Sequence, residues 1–398
     1  MLSSRSSPPP PSPGPLDGIR VLDLTRVVMG PLATQVLADQ GADVILVEAN
    51  GGDTNRVMGP GPHPEFSGIA LNLLRNKRSI DIDLKSAQGA AAVRALIATC
   101  DVVVATMRPQ VLTRLGLDYE AVRAIRPDVV YCQGQGFPLA SDRAHEPAYD
   151  DIIQAATGVS DVLERVTGTA GLFPTIFADK VCGLVMAQAI AAALLHRERT
   201  GIGQHIEVPM TQAMTGFMLA EHGSGAIAEP PQNTAGYPRI LTPERRPHRT
   251  ADGMVHLFPY RPAHYAHLFA SAGVPSADSD PRYVDQRATI ANADSLYRDV
   301  RAVCLTRTTD EWLEFCREAG IPATRVVTLQ DMVDDLPVAE HPVTGTYRVI
   351  PQMANFSATP GGVRRAAPLI GEHTAELLAD LLPADLLPAD DILDEESA

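Results

Sequence analysis

A single acid, Asp179, stands where the Pro-containing stretch Pro174-Thr175-Ile176-Phe177 gives way to a long Ala- and Leu-rich run. Residues 183–195 carry only Gln188 as a polar side chain, and His196-Arg197-Glu198-Arg199 closes the run ahead of Thr200-Gly201. That pattern predicts a helix with one carboxylate at its mouth. Two chemistries fit the position. As an N-cap, an Asp accepts orphan N–H groups of the first turn, worth about 1 kcal/mol. The same amides and the helix dipole would also hold the carboxylate ionised. An ionised Asp is a nucleophile able to form covalent intermediates, for example by attacking a thioester while backbone amides stabilise the oxyanion. Local physics permits both readings.

Cations form the second group of candidates. Arg75-Asn76-Lys77-Arg78-Ser79 precedes the alternating Ile80-Asp81-Ile82-Asp83-Leu84, and Arg108 and Arg114 follow a later apolar run. The cluster reads either as a solvated loop or as a phosphate site with charge-assisted donors. His264 and His267 are spaced i, i+3 without a Glu or Cys partner, so they read as a helical pair and not as a zinc site. The turn Thr25-Arg26-Val27-Val28-Met29-Gly30-Pro31 lacks the glycines of a dinucleotide fingerprint, and Gly134-Gln135-Gly136 continues Phe-Pro-Leu. There is no P-loop and no G-x-S-x-G, so ATP use and a serine-hydrolase elbow have no support. No metal site is expected.

The elements that must position these residues read as α/β. Strands are expected at 19–24, 43–48, 101–104 and 128–132, with helices over 31–40, 86–99 and 109–126 between them. Strands alternating with helices imply right-handed crossovers and a parallel, Rossmann-like sheet. Open sheets of this kind bind ligands at the carboxyl ends of their strands, where Arg108 and Arg114 fall. The organisation predicted is a Pro/Ser-rich arm over 1–15, a large Rossmann-like domain over 16–225, a small α+β domain over 226–330, a return to the large domain over 331–382, and an acidic tail over 383–398. In the small domain a strand is expected at 254–258 and another at 324–327, with helices near 262–271, 291–304 and 309–319.

Composition narrows the function classes. A formal net charge of −15 lacks the basic footprint of general nucleic-acid binding, yet leaves room for a local cationic site. Five cysteines without C-x-x-C spacing read as free thiols in a reducing cytoplasm. The N-terminal arm has no apolar h-region. The apolar run 183–195 is shorter than the roughly 20 residues a bilayer span needs, so no membrane association is expected.

Six motifs, in order, carry a resemblance: "PLDGIRVLDLTRVVMGPLATQVLADQGADVILVE", "RNKRSIDIDLK", "RPQVLTRLGLDYEAVRAIRPDVVYCQGQGF", "PAYDDIIQAATG", "ADKVCGLVMAQAIAAALLHRERTGIGQHIEVPM" and "PLIGEHTAELLADL". With them the chain, from residue 16 to about 382, resembles the class III CoA-transferase (CaiB/BaiF) family, which includes formyl-CoA and carnitine CoA-transferases and α-methylacyl-CoA racemase. The resemblance implies a Rossmann-like large domain from both chain ends, a small middle domain, and two ring-like chains linked in an interlocked homodimer. It implies that Asp179 attacks an acyl-CoA thioester, giving a mixed anhydride and then an aspartyl-CoA thioester that the acceptor carboxylate resolves. CoA and acyl-CoA enter as substrates, with no tightly bound cofactor, ATP or metal. By the same resemblance CoA contacts fall to Val27 and Val28, to Lys77 and Arg78, to Thr106 and Met107 (where the family usually has Asn-Phe), and to Arg114. Ala49, Gln110 and Pro259-Tyr260-Arg261-Pro262 also depart from the family pattern, the last replacing a glycine-rich flap.

Racemases of this family pair the Asp with a His able to titrate near neutral pH. Here the matching position is Tyr149, whose phenol is a poor base at neutral pH, and His145 lies four residues earlier. Transferase is therefore the favoured reading, with a racemase and a non-catalytic acyl-CoA-binding protein as alternatives.

Overall fold

The computed structural model describes residues 14–49, 51–275 and 277–379. The expected acidic tail and nearly all of the Pro/Ser-rich arm lie outside them. Strands β1 (Arg20–Leu24), β2 (Asp43–Glu48), β3 (Lys77–Asp81), β4 (Val102–Ala105), β5 (Val130–Gln135) and β6 (Gln204–Pro209) form one sheet in the order β3-β2-β1-β4-β5-β6. All five pairings are parallel. β1, β2 and β4 are nearly continuous apolar runs because both faces of a parallel sheet are covered. Alternation still sorts them: Leu22, Leu24, Ile45, Val47 and Val103 pack with Ala92, Val93, Leu96 and Ile97 of the helix Ala87–Thr99. Leu46 points the other way, into a cluster with Leu32 of the helix Met29–Asp39, and with Phe66 and Leu74.

The chain order reverses between β1 and β4, each of which continues to different neighbours outward. Such a switch point leaves a crevice at the carboxyl ends of the two strands, because their connections leave in opposite directions. Residues 25–28 and 106–108 are those carboxyl-end loops.

The helix that follows Pro174 spans Phe177–Thr200. Its 24 residues make it long and apolar enough to cross a membrane by length and composition, unlike the shorter run read from the sequence. It packs instead along the helix Met29–Asp39. Gly183 permits the closest approach, since a Cβ there would lie 2.5 Å from the Met29 carbonyl oxygen. It ends on Gly201 at φ 73°, the left-handed stop that glycine provides cheaply.

Contacts divide the chain into two compact units. The first comprises Met1–Thr157, Pro174–Thr215 and Leu336–Ala398, and the second Gly158–Phe173 and Gly216–Asp335. The second therefore begins earlier than residue 226 and takes in a helix, Val159–Thr167, that sequence places in the large domain. It carries a three-stranded antiparallel sheet of β7 (His248–Arg249), β8 (Met254–Leu257) and β9 (Ala323–Arg325). Val255, Leu257, Tyr265, Phe269, Val300 and Trp312 form its core, and Trp312 Nε1 donates to the Cys304 carbonyl at 2.9 Å.

Candidate active site

Asp179 is the third residue of its helix. The flanking position is Ile176, which makes no side-chain cap, so the N-cap reading of Asp179 is corrected. Its backbone N–H, one of the donors a first turn leaves unpaired, is accepted by Asp150 Oδ1 at 3.0 Å. Asp150 starts the helix Asp150–Ala156, is buried, and also accepts from Gln154 Nε2 at 2.6 Å. The half-buried Asp179 carboxylate takes a hydrogen bond from the Met29 backbone amide.

This setting raises the Asp179 pKa to about 6. Burial is the largest cause and the charge of Asp150 the second, opposed by the Met29 amide. The expectation that the helix terminus holds the acid unusually low is thus reversed. A helix dipole contributes about 0.3–1 kcal/mol, whereas a displacement from 3.8 to about 6 corresponds to roughly 3 kcal/mol. At pH 7 the group is still mostly ionised.

Asp179 forms part of the wall of a cavity of about 410 Å³ in the β1/β4 crevice. Arg26 and Val27 enter from the loop after β1, Thr106, Met107 and Arg108 from that after β4, and Gly134 and Gly136 from the end of β5. Tyr149, 69% exposed, borders the same space. Gly134 keeps it open, since a Cβ there would meet Met29 Cε at 2.6 Å and Met186 Sδ at 2.8 Å. The two loops are tied together by the Arg26 N–H, which donates to Thr106 Oγ1 at 3.1 Å.

Val27 has φ 69°, a left-handed conformation that is strained for a β-branched residue. The surroundings impose it. Asp53 accepts the Val27 N–H, with its two oxygens at 3.1 and 3.3 Å, and Asn55 Nδ2 donates to the Val27 carbonyl at 3.2 Å. The Asp53 carboxyl is raised by burial and by Glu48 against the pull of the Asn55 and Val27 backbone amides and of Arg26.

The remaining residues expected to hold CoA lie elsewhere. Val28 is buried in the core and lines a separate, mostly apolar cavity of about 630 Å³; of these two cavities only the smaller includes Asp179. Lys77 is fully buried on β3, and its ammonium is spent on Asp23 Oδ2 at 3.0 Å, the Pro31 carbonyl at 3.0 Å and Thr34 Oγ1 at 2.7 Å. All three ammonium donors are thus used inside the fold. Arg78 is likewise paired, with Asp43 through Nε at 2.9 Å and with Glu376 through Nη1 at 2.8 Å, and does not line the cavity. Arg75 is buried against Asp39. Arg114 lies exposed in the last turn of the helix Pro109–Leu115, outside the cavity wall. His145 hydrogen-bonds Gln110 at 3.0 Å and is not in the wall. Among the described residues no group of three or more His, Cys, Asp or Glu could hold a metal ion. Sequence reasoning missed Arg26, Asp53 and Asp150; the contact between Asp150 and Asp179 spans 29 residues, and only a fold brings it about.

Residues 16–374 match the family described as CoA-transferase family III. The succinate–glutarate CoA-transferase of Agrobacterium fabrum is 33% identical, covering 92% of this chain and 96% of its own length. A probable fatty acyl-CoA transferase of Mycobacterium tuberculosis is 31% identical over 92% of this chain and 98% of its own. Its orthorhombic crystal structure superposes with a TM-score of 0.77 at 30% identity, covering 92% and 99% of the two chains. A CaiB/BaiF family protein from Brucella suis gives 0.77 at 29% identity over 93% and 100%. With a matching sequence, a matching fold and relatives named for moving CoA between acids, the chain belongs to CoA-transferase family III and is an enzyme of that type.

Proposed function

We propose that this protein moves CoA from an acyl-CoA thioester to a free carboxylic acid through covalent intermediates on Asp179. The observation that carries this is a half-buried carboxylate in the wall of the switch-point cavity, within reach of a backbone amide. An Asp179 oxygen attacks the thioester carbonyl, the C–S bond breaks, and CoA thiolate leaves with the electron pair. The thiolate then attacks the Asp179 carbonyl of the mixed anhydride and expels the donor acid. The acceptor carboxylate attacks the resulting aspartyl-CoA thioester, and the thiolate returns to the acceptor acyl group, freeing Asp179. No proton or external energy is consumed, because one thioester is exchanged for another. Backbone amides stabilise the oxyanions.

In this reading Val27, Thr106 and Met107 wall the thioester end of CoA, and Arg26 and Arg108 meet anionic groups of the substrates. Tyr149 shapes the mouth; a phenol where a racemase needs a neutral-pH base favours transfer over α-proton exchange. Arg114, Lys77 and Arg78 drop out as direct contacts in this reading. The names of the Agrobacterium relative and of a Haloarcula hispanica succinyl-CoA:mesaconate CoA-transferase favour a small dicarboxylic acid as acceptor. Five buried free thiols support a cytoplasmic setting, and a homodimer, without nucleic acid, membrane or tightly bound cofactor, completes the proposal.

Incubating the protein with succinyl-CoA and a panel of free dicarboxylic, fatty and carnitine-like acids, read by mass spectrometry, tests it. New acyl-CoA species are expected with the wild type and none with Asp179→Asn. Deuterium exchange at the α-carbon of a 2-methylacyl-CoA without any acyl exchange would favour the racemase instead. Light scattering should give twice 42.5 kDa.

A further inference from the structure

Asp150 is a buried acid outside the cavity wall and, among the described residues, in no ion pair. Both of its oxygens are committed: Oδ1 to the Asp179 N–H at 3.0 Å and Oδ2 to Gln154 Nε2 at 2.6 Å. The Gln154 amide is itself within 3.4 Å of the Thr175 carbonyl, in the approach to the long helix. Asp150 and Gln154 thus grip both the chain entering the Asp179 helix and its first turn. Cutting that grip would free the turn that aims the carboxylate.

The charge has a second consequence. Asp179 is an anion as the free acid and neutral as an anhydride or thioester. A fixed negative charge nearby raises the free energy of the anion and leaves the neutral forms nearly untouched, so it tilts the equilibrium towards the covalent states. Other groups facing Asp179 do not cancel this. On its own helix Lys180 turns to Thr175 Oγ1 at 2.6 Å, and the Cys182 thiol is neutral, pushed up to about 12 by burial. Across the cavity stand Arg26, Arg108, Glu146 and Tyr149, and from the helix Met29–Asp39 only the Met29 amide reaches the carboxylate. After burial, the charge of Asp150 is the next cause that raises the Asp179 pKa.

We propose that Asp150 is a positioning residue for CoA transfer, holding the first turn of the Asp179 helix through the Asp179 N–H and, by its charge, favouring the uncharged covalent forms of Asp179 over the free carboxylate. The inference rests on Asp179 being the nucleophile. Its test measures, in the full-length protein, the pH profile of kcat/KM and the fraction of Asp179 trapped by hydroxylamine during turnover, for wild type, Asp150→Asn and Asp150→Glu. Asp150→Asn keeps the shape and an acceptor oxygen but removes the charge. It should move the acid limb of kcat/KM down by roughly one pH unit, lower the trapped fraction and reduce kcat, with KM for acyl-CoA little changed. Asp150→Glu should return the limb towards its wild-type position. A wild-type hydroxamate at Asp179 together with an unmoved limb and an unchanged trapped fraction in Asp150→Asn overturns the role of Asp150 alone. No hydroxamate in the wild type overturns the nucleophile reading, and the covalent-state half of the inference with it.

Discussion

Replacing Lys77 by Met separates a buried strut from a ligand contact. The ammonium reaches from β3 to Asp23 on β1 and to the helix Met29–Asp39, with both side chains of the Lys77–Asp23 pair at 0% exposure. Three acceptors surround it: Asp23, Thr34 and the Pro31 carbonyl. Methionine fills the space but leaves the Asp23 carboxylate buried without its counter-charge. Asp23 keeps the Thr25 N–H at 3.0 Å and the hydroxyls of Thr25 and Thr34, each at 2.5 Å. Breaking one side of a buried pair costs about 3–5 kcal/mol, and these three donors put Lys77→Met towards the lower end. Adding Asp23→Asn removes the stranded charge, so the double variant should be more stable than Lys77→Met alone, a non-additivity that a solvent-facing lysine would not produce. Urea unfolding followed by far-UV circular dichroism gives the stabilities, and initial rates well below the midpoint give KM for acyl-CoA. We expect a large loss of stability with KM nearly unchanged. A loss below about 1 kcal/mol with a several-fold rise in KM would mean that the ammonium reaches CoA and is not a buried strut.

Three further outcomes follow from the same geometry. The folded pKa of Asp179, about 6, lies above its ordinary 3.8, so the ionised acid weakens the fold; the penalty is absent below about pH 4, grows between there and pH 6, and is full above. Asp179→Asn should therefore be inactive yet more stable than wild type at pH 7, by up to about 3 kcal/mol, with the gain vanishing near pH 4 in thermal unfolding; a less stable variant at pH 7 contradicts this. The wild-type kcat/KM should fall as pH drops through about 6, where the nucleophile protonates, and an acid limb below pH 4.5 would contradict that placement. Gly183→Ala would put a methyl 2.5 Å from the Met29 carbonyl oxygen, forcing two helices apart at about 1–3 kcal/mol and shifting the Met29 amide off Asp179, so stability and kcat should fall together.

The sheet was legible where residues have no alternative. β1, β2 and β4 are short β-branched and leucine runs that only a doubly covered sheet can bury, and the helix Ala87–Thr99 announces itself by its Ser86 cap and alanine content. β3 was harder because Lys77 and Arg78 open it; their charges imitate a loop, and the partners that bury them, Asp23 and Asp43, lie 54 and 35 residues away. β5 runs later than expected, over Val130–Gln135, since its polar Gln133 and Gln135 bond each other at 2.8 Å inside the fold. Asp179 stood out as an isolated acid before an apolar helix. Its environment did not, because burial and Asp150, which together reverse the pKa direction that helix position alone suggests, arrive from other segments, as does the Met29 amide that opposes them.

Covalent modification of Asp179 is what distinguishes this mechanism from any other route of CoA transfer. Wild-type protein incubated with acyl-CoA and hydroxylamine, then digested and examined by peptide mass spectrometry, should carry a hydroxamate on the Asp179 side chain. The label should require acyl-CoA and be missing from Asp179→Asn. Steady CoA transfer between acids with an Asp179 peptide that stays unmodified at every hydroxylamine concentration would contradict a covalent role for Asp179.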